Sequence, residues 1–355
     1  MRPPATAIAA TVVGTASTAV GAGVGIRYAT KTGVTTTSIA GLACLVIGIA
    51  LLTSAVRATW RAARRWQRLG LALAAPVGLV VVVSLTLGVA YSAAPHNQLG
   101  AATPASRGLV YDSVSFLTAD QVRLDGWLLP SHNGAVVVVL PGAGSTRAAA
   151  LDQARALNQH GYGVLMVDPR GQGGSAGHAM DLGWYGDRDL AAAVGFLRTQ
   201  RKVAPERIAL LGLSMGGEEA IGAAAGLGVR AVVAEGATGR TDADKAGWLP
   251  GGVAGAIQRG MDRVSYGVVD LLTSAPRPRS LRTAVVQATH TSFLLVTAGK
   301  VRDEQSAARH LRAAAPDRVQ IWAVPGASHT NGLRTRPDEW VARITGFLDR
   351  TLPVA

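Results

Sequence analysis

The run Leu210-Leu211-Gly212-Leu213-Ser214-Met215-Gly216-Gly217 sets a serine in a Gly-x-Ser-x-Gly pattern. A β-like segment, residues 207–211, leads into it, and a small-residue helical segment, residues 218–227, leaves it. A strand-to-helix turn of this kind is sharp enough to strain its central serine and present the hydroxyl to a substrate. Glycine on each side removes the Cβ atoms that would collide where the two backbones pass. The chemistry would be nucleophilic: the hydroxyl attacks an acyl carbon once a base takes its proton and a third group orients that base. The pattern alone is weak in a chain with 43 Gly. Gly173-Gly174-Ser175-Ala176-Gly177 matches it too, but opens into a loop at 178–184 instead of a helix.

Ser214 therefore needs partners. Of the seven histidines, His160 and His310 fall in helical patterns, His96 in a linker-like stretch, and His132 ahead of a strand. His178 and His290 sit in loops without a motif. His329 closes the loop Pro325-Gly326-Ala327-Ser328-His329 after the strand-like run 319–324, at the carboxyl end where open parallel sheets bind ligands. The acid should lie between serine and histidine in sequence. After the run 293–297 come Ala298-Gly299-Lys300-Val301-Arg302-Asp303-Glu304. Asp303 is the expected acid, holding the imidazole tautomer and stabilising its protonated form. Glu304, which also suits the N-terminus of the following helix, and Glu235, at the end of the preceding strand, are the alternatives. Two backbone N–H groups must meet the oxyanion, and Met215 and Ala143 are expected to supply them. Ala143 lies in the Gly-rich loop 141–145, which lacks the Gly-Lys-Ser/Thr ending of a phosphate cradle. Asp168 and Arg170 follow a strand as well, and are expected to form a structural turn with an internal ion pair. No His-Glu-x-x-His spacing occurs; neither a metal nor a cofactor is expected.

The elements that would hold these residues alternate. Strand-like runs are expected at 114–117, 122–129, 135–140, 163–167, 207–211, 230–234, 293–297 and 319–324. Helical patterns fall at 146–160, 186–201, 218–227, 304–315 and 337–352. Such alternation predicts an α/β fold, a doubly wound, mostly parallel sheet. Residues 238–291 break it, with helical fragments at 254–263 and 268–273, and read as a cap insertion. Residues 92–108 read as a linker, so the domain is expected to run over 109–355.

The first 91 residues are of another kind. Segments 38–56 and 69–91 are apolar or small throughout and long enough for membrane spans. Segment 5–26 is a third span, with a signal peptide as the competing reading. The first 104 residues hold eight of the 35 Lys and Arg and none of the 22 Asp and Glu. Five arginines crowd the loop 57–68. By the positive-inside bias that loop is cytoplasmic, which puts the domain after Tyr91 on the extracytoplasmic side of a multi-pass membrane protein. The net charge of +13 is thus a topology signal. No basic face interleaved with aromatics suggests nucleic acid. The one cysteine, Cys44, lies in an apolar run and forms no internal disulfide.

Together the loop 141–144 (PGAG), DPRGQGGS at 168–175, GLSMGG at 212–217, the Gly299 loop and PGASH at 325–329 resemble the α/β-hydrolase superfamily, in its serine peptidase and esterase-like branch. The likeness covers residues 110–352 and implies the α/β-hydrolase fold with Ser214, His329 and Asp303 as triad and Ala143 and Met215 as oxyanion hole. Two departures stand out: Pro141 replaces the usual histidine of a His-Gly oxyanion loop, and the family acid usually falls one residue earlier, where this chain has Arg302. The function expected is a membrane-anchored serine hydrolase acting on a small-molecule, lipid or peptide acyl substrate. A catalytically silent binding or signalling domain is the alternative. Specificity in such folds lies in cap and loops, so the substrate is not legible.

Overall fold

Long uncharged runs leave the backbone of the N-terminal third one way to satisfy its polar groups without water, the helix. In the computed structural model, which describes residues 5–352, α1 (Ala5–Val20), a π-helical turn (Gly21–Ile26) and α2 (Arg27–Thr32) join into one rod. After it come α3 (Thr36–Ala62) and α4 (Arg65–Ser92). A reciprocal cap starts α3: the Thr35 hydroxyl accepts from the Ser38 N–H, and the Ser38 hydroxyl accepts from the Thr35 N–H. The three rods have 28, 27 and 28 residues, and their 18-residue apolar windows have mean hydropathies of 1.6, 2.5 and 2.3. At about 1.5 Å per residue each exceeds a hydrocarbon core of about 30 Å. The first rod meets α3 along glycines. A Cβ on Gly25 would strike the backbone at Gly41, one on Gly21 the backbone at Leu45, and one on Gly48 the backbone at Thr18. Small residues let membrane helices approach this closely.

The chain divides into two compact units. The first contains these helices to Pro95 and also Gly251–Ser274. Within it a helix at Gly252–Leu272 packs on the last turns of α4. A Cβ on Gly88 would meet Val268 and Ser265, and the Ser265 hydroxyl donates to the Ser84 carbonyl at 2.9 Å. The sequence reading broke this stretch into two fragments of a cap. It is one helix, and its buried positions Gly255, Asp262, Ser265, Tyr266 and Val269 keep to one face along it.

The second unit comprises His96–Pro250 and Ala275 onward. Its eight strands are β1 (Asp112–Leu117), β2 (Arg123–Leu129), β3 (Val136–Leu140), β4 (Gly163–Val167), β5 (Ile208–Leu213), β6 (Ala231–Glu235), β7 (Ser292–Ala298) and β8 (Val319–Val324). They lie in the order β1-β2-β4-β3-β5-β6-β7-β8. β1 and β2 form an antiparallel hairpin, β2 pairs antiparallel with β4, and all later pairings are parallel. The uninterrupted Val136–Leu140 run is buried at every position, as a central strand covered on both faces must be. α5 (Leu151–Gln159) and α13 (Pro337–Thr351) cover one face. α6 (Gly186–Arg198), α7 (Met215–Leu227), α10 (Leu281–Gln287) and α11 (Arg302–Arg312) cover the other. Short α8 (Asp242–Ala246) and α12 (Gly332–Thr335) complete the count, and Gly252–Leu272 is α9.

The stretch read as a linker is partly built into this unit. The Gly173 N–H donates to the Asn97 carbonyl at 2.8 Å, the Asn97 N–H to the Gln172 side chain at 2.7 Å, and the His96 ring pairs with the Gly171 carbonyl at 2.9 Å.

Candidate active site

β5 ends and α7 begins at a single residue, Ser214, with φ 53° and ψ −119°. A side chain at positive φ is strained, and the neighbours hold it there. Its N–H donates to the Glu235 carbonyl at 2.7 Å, and its own carbonyl accepts from Gly217 and Glu218. A Cβ on Gly212 would run into the Gly216 carbonyl, and one on Gly216 into the Pro141 carbonyl. Both glycines are therefore steric requirements of the turn.

His329, in the loop after β8, places Nε2 2.9 Å from Ser214 Oγ. Its Nδ1 lies 2.7 Å from Glu304 Oε1. Glu304 is fully buried, and its second oxygen accepts the Ala298 N–H at 2.7 Å. The hydrogen bond to Glu304 raises the imidazole pKa above its ordinary value, while burial opposes that rise. Gly236, at φ +78°, passes behind the ring; a Cβ there would come within 2.9 Å of its Cε1 atom.

Asp303, the acid expected from sequence, is not at the imidazole. It is exposed in the first turn of α11, whereas Glu304 is buried. Successive helical residues point about 100° apart, and α11 starts at Arg302, two residues earlier than its pattern suggested. That start turns position 304 back toward the strand ends and position 303 to solvent. Glu235 does not touch His329 by a hydrogen bond either. Its carboxylate takes the Gly332 N–H at 2.7 Å and the Trp340 indole N–H at 3.0 Å, tying down the chain just beyond the histidine. Burial raises its pKa, and these two bonds oppose the rise.

The loop after β3 comes up beside the serine: a Cβ on Gly142 would lie 3.3 Å from the Ser214 Cβ. Ala143 is exposed and Met215 buried. Neither N–H has a protein acceptor among the described residues. Glu218, which sequence reasoning passed over, is buried in the first turn of α7 and accepts from the Thr238 and Gly239 N–H groups. The only hint was an acid in that first turn.

Asp168 and Arg170 do not pair with each other. Asp168 binds Arg147 at 2.9 Å and accepts from Gly174 N–H. Arg170 is shared between Asp120 and Asp189. Both residues are structural, each through a partner distant in sequence. Ser175 is buried, donating to the Asp168 carbonyl and accepting from the Asp125 N–H, each at 2.9 Å.

Residues 131–243 match the family model described as serine aminopeptidase, S33. An uncharacterized protein of Mycobacterium tuberculosis, Rv2307c, is 35% identical over 136 residues, 38% of this chain and 46% of that one. An uncharacterized membrane protein of Saccharomyces cerevisiae, YNL320W, is 29% identical over 121 residues, 34% of this chain and 42% of that one. The chain thus spans about half the length, or slightly less, of the curated relatives it matches. Among solved structures, the Pyrococcus furiosus esterase Pf2001 superposes with a TM-score of 0.59 at 25% identity, covering 74% of this chain and 98% of that one. The sheet, its connections and this likeness make the fold that of the α/β-hydrolases.

Proposed function

We propose that this chain, which has the α/β-hydrolase fold and resembles serine hydrolases of that fold, is a membrane-anchored serine hydrolase with a Ser214–His329–Glu304 triad. The observation that carries this reading is the unbroken line of hydrogen bonds from Ser214 Oγ through His329 to Glu304. Nε2 takes the hydroxyl proton as Ser214 attacks an acyl carbon, then hands it to the leaving alcohol, thiol or amine. Water, activated by the same nitrogen, cleaves the acyl-serine and restores the hydroxyl. Buried Glu304 keeps the proton of neutral imidazole on Nδ1 and offsets the positive charge that forms there. The Met215 and Ala143 N–H groups, with no protein acceptor, are the donors for the oxyanion. The three apolar helices anchor the enzyme in a membrane. The arginines of 57–68 keep their end of α3 and α4 in the cytoplasm, with the catalytic unit on the far side.

Labelling by a fluorophosphonate tests the reading. Wild-type protein in detergent should be modified on Ser214 and should hydrolyse short acyl esters, and Ser214→Ala should do neither. Unchanged ester turnover in Ser214→Ala would end it. The silent-domain alternative draws on the shift of the expected acid from the family position, here Arg302, to Asp303 and on the appended helices; Glu304 in contact with His329 favours the hydrolase reading.

A further inference from the structure

Helix α9 leaves and re-enters the catalytic unit between β6 and β7, yet it is folded with the apolar helices. On its free side Val253, Ile257, Val264 and Leu271 are 78%, 48%, 37% and 82% exposed. Their spacings of four, seven and seven residues place them within about 40° of one another on a helix. Asp262, Ser265, Tyr266 and Val269 lie on other faces and are buried. The helix also carries Arg259, Asp262, Arg263 and Asp270, too many charges for a span. It is amphipathic, with one apolar exposed face and its packed and charged residues on the others.

Its depth follows from its seam with α4. Ser265 and Val268 pack at Ser84 and Gly88. These are four and eight residues from the middle of the apolar stretch 69–91, or about 6 and 12 Å along the axis. Half the hydrocarbon core is about 15 Å. If α4 crosses the bilayer, as the proposed function requires, both contacts lie inside the outer half of the hydrocarbon core, and the exposed stripe of α9 faces acyl chains.

We propose that α9 is a membrane-seated helix whose Val253–Ile257–Val264–Leu271 stripe is buried in the outer leaflet, so that the insertion between β6 and β7 of the hydrolase is held by the lipid. The occupant of the face is the bilayer, because α9 packs along α4, whose Leu73, Val77 and Leu79 are likewise exposed.

The single native cysteine makes the test direct. Full-length protein with Cys44→Ser and one new cysteine (Val264→Cys, Ile257→Cys, Val77→Cys or Lys202→Cys) is labelled with an environment-sensitive fluorophore and reconstituted into phosphatidylcholine vesicles with or without brominated acyl chains. Probes at 264 and 257 should lose roughly half their emission to the brominated lipid, as should the probe at 77, while that at 202 should not change. Quenching at 77 but not at 264 and 257 overturns the proposal and leaves the span intact. Failure at 77 instead removes the span and the proposal with it. A probe at 264 shielded from aqueous iodide but insensitive to brominated lipid means that protein, such as a second copy, covers the face, and that also overturns it.

Discussion

Ser214 and Ser175 stand in the same five-residue pattern, both after parallel strands of one sheet, and have opposite fates. At Ser214 the strand ends directly on the pattern, the serine takes φ 53°, and its hydroxyl meets His329. At Ser175 the strand β4 has ended at Val167, seven residues pass, and the hydroxyl is absorbed by the Asp168 carbonyl and the Asp125 N–H. Glycine also means different things at the two sites. At 212 and 216 it lets backbones cross; at 173 and 174 a Cβ would strike the carboxylates of Asp168 and Asp125. A motif thus acquires chemistry from its distance to the strand end.

Replacing each serine is the strongest way to break the comparison. Ser214→Ala should lower kcat for acyl-ester hydrolysis by about 10⁴-fold or more without unfolding the protein. Ser175→Ala should leave kcat near wild type while destabilising the fold by about 1–3 kcal/mol, since it strands a buried N–H and carbonyl; thermal denaturation reads that loss. If Ser175→Ala abolished turnover in folded protein, the division of roles would be wrong.

The acid gives the next largest effect. Glu304→Gln should cost roughly 10²–10⁴-fold in kcat, as in other triads whose orienting carboxylate is neutralised, whereas Asp303→Asn should change it little because that side chain faces solvent. Steady-state kinetics of the pair separates the two carboxylates.

Gly236→Ala is expected to cost about 10²-fold by pushing the imidazole off Ser214, a displacement of the order of 1 Å, with little change in substrate affinity.

The smallest expected change is in pH dependence. The Glu304 bond raises the His329 pKa above 6.5, and the base works only when neutral. The acidic limb of kcat/KM should therefore lie above 6.5 and move down in Glu304→Gln. The same shift has the opposite sign for stability. Protonated His329 contributes fully below its unfolded value of about 6.5, and the contribution is lost as pH rises through the higher folded value.

The placement of Ser214 and His329 was legible because each follows its strand by a short turn, and period-two and continuous apolar runs mark strands well. The sheet was legible for the same reason. The carboxylate that meets His329 was not, since choosing between positions 303 and 304 requires the first residue of α11, and helix starts are poorly marked without a capping side chain; Val301 provides none. His96 and Asn97 read as linker because their partners, at 171–173, are backbone and amide groups some 75 residues away, and such contacts leave no periodicity. α9 was misplaced for a related reason. Its amphipathic pattern declares a face to be covered, but not that α4 covers it.

The glycine seam between the first rod and α3 bears on how the anchor survives alteration. The apolar window of the first rod has the lowest mean hydropathy of the three, 1.6, and the largest share buried against protein, 28% against 17% for each of the others. Its glycines, alanines and threonines give it little affinity for lipid of its own. In a bilayer it is a tenant of α3: widening the seam, as Gly25→Leu or Gly41→Leu would, should evict it while α3 and α4 stay. A truncated protein that keeps the first rod but lacks both α3 and α4 should lose its grip on the membrane, although the segment it retains is 28 residues long.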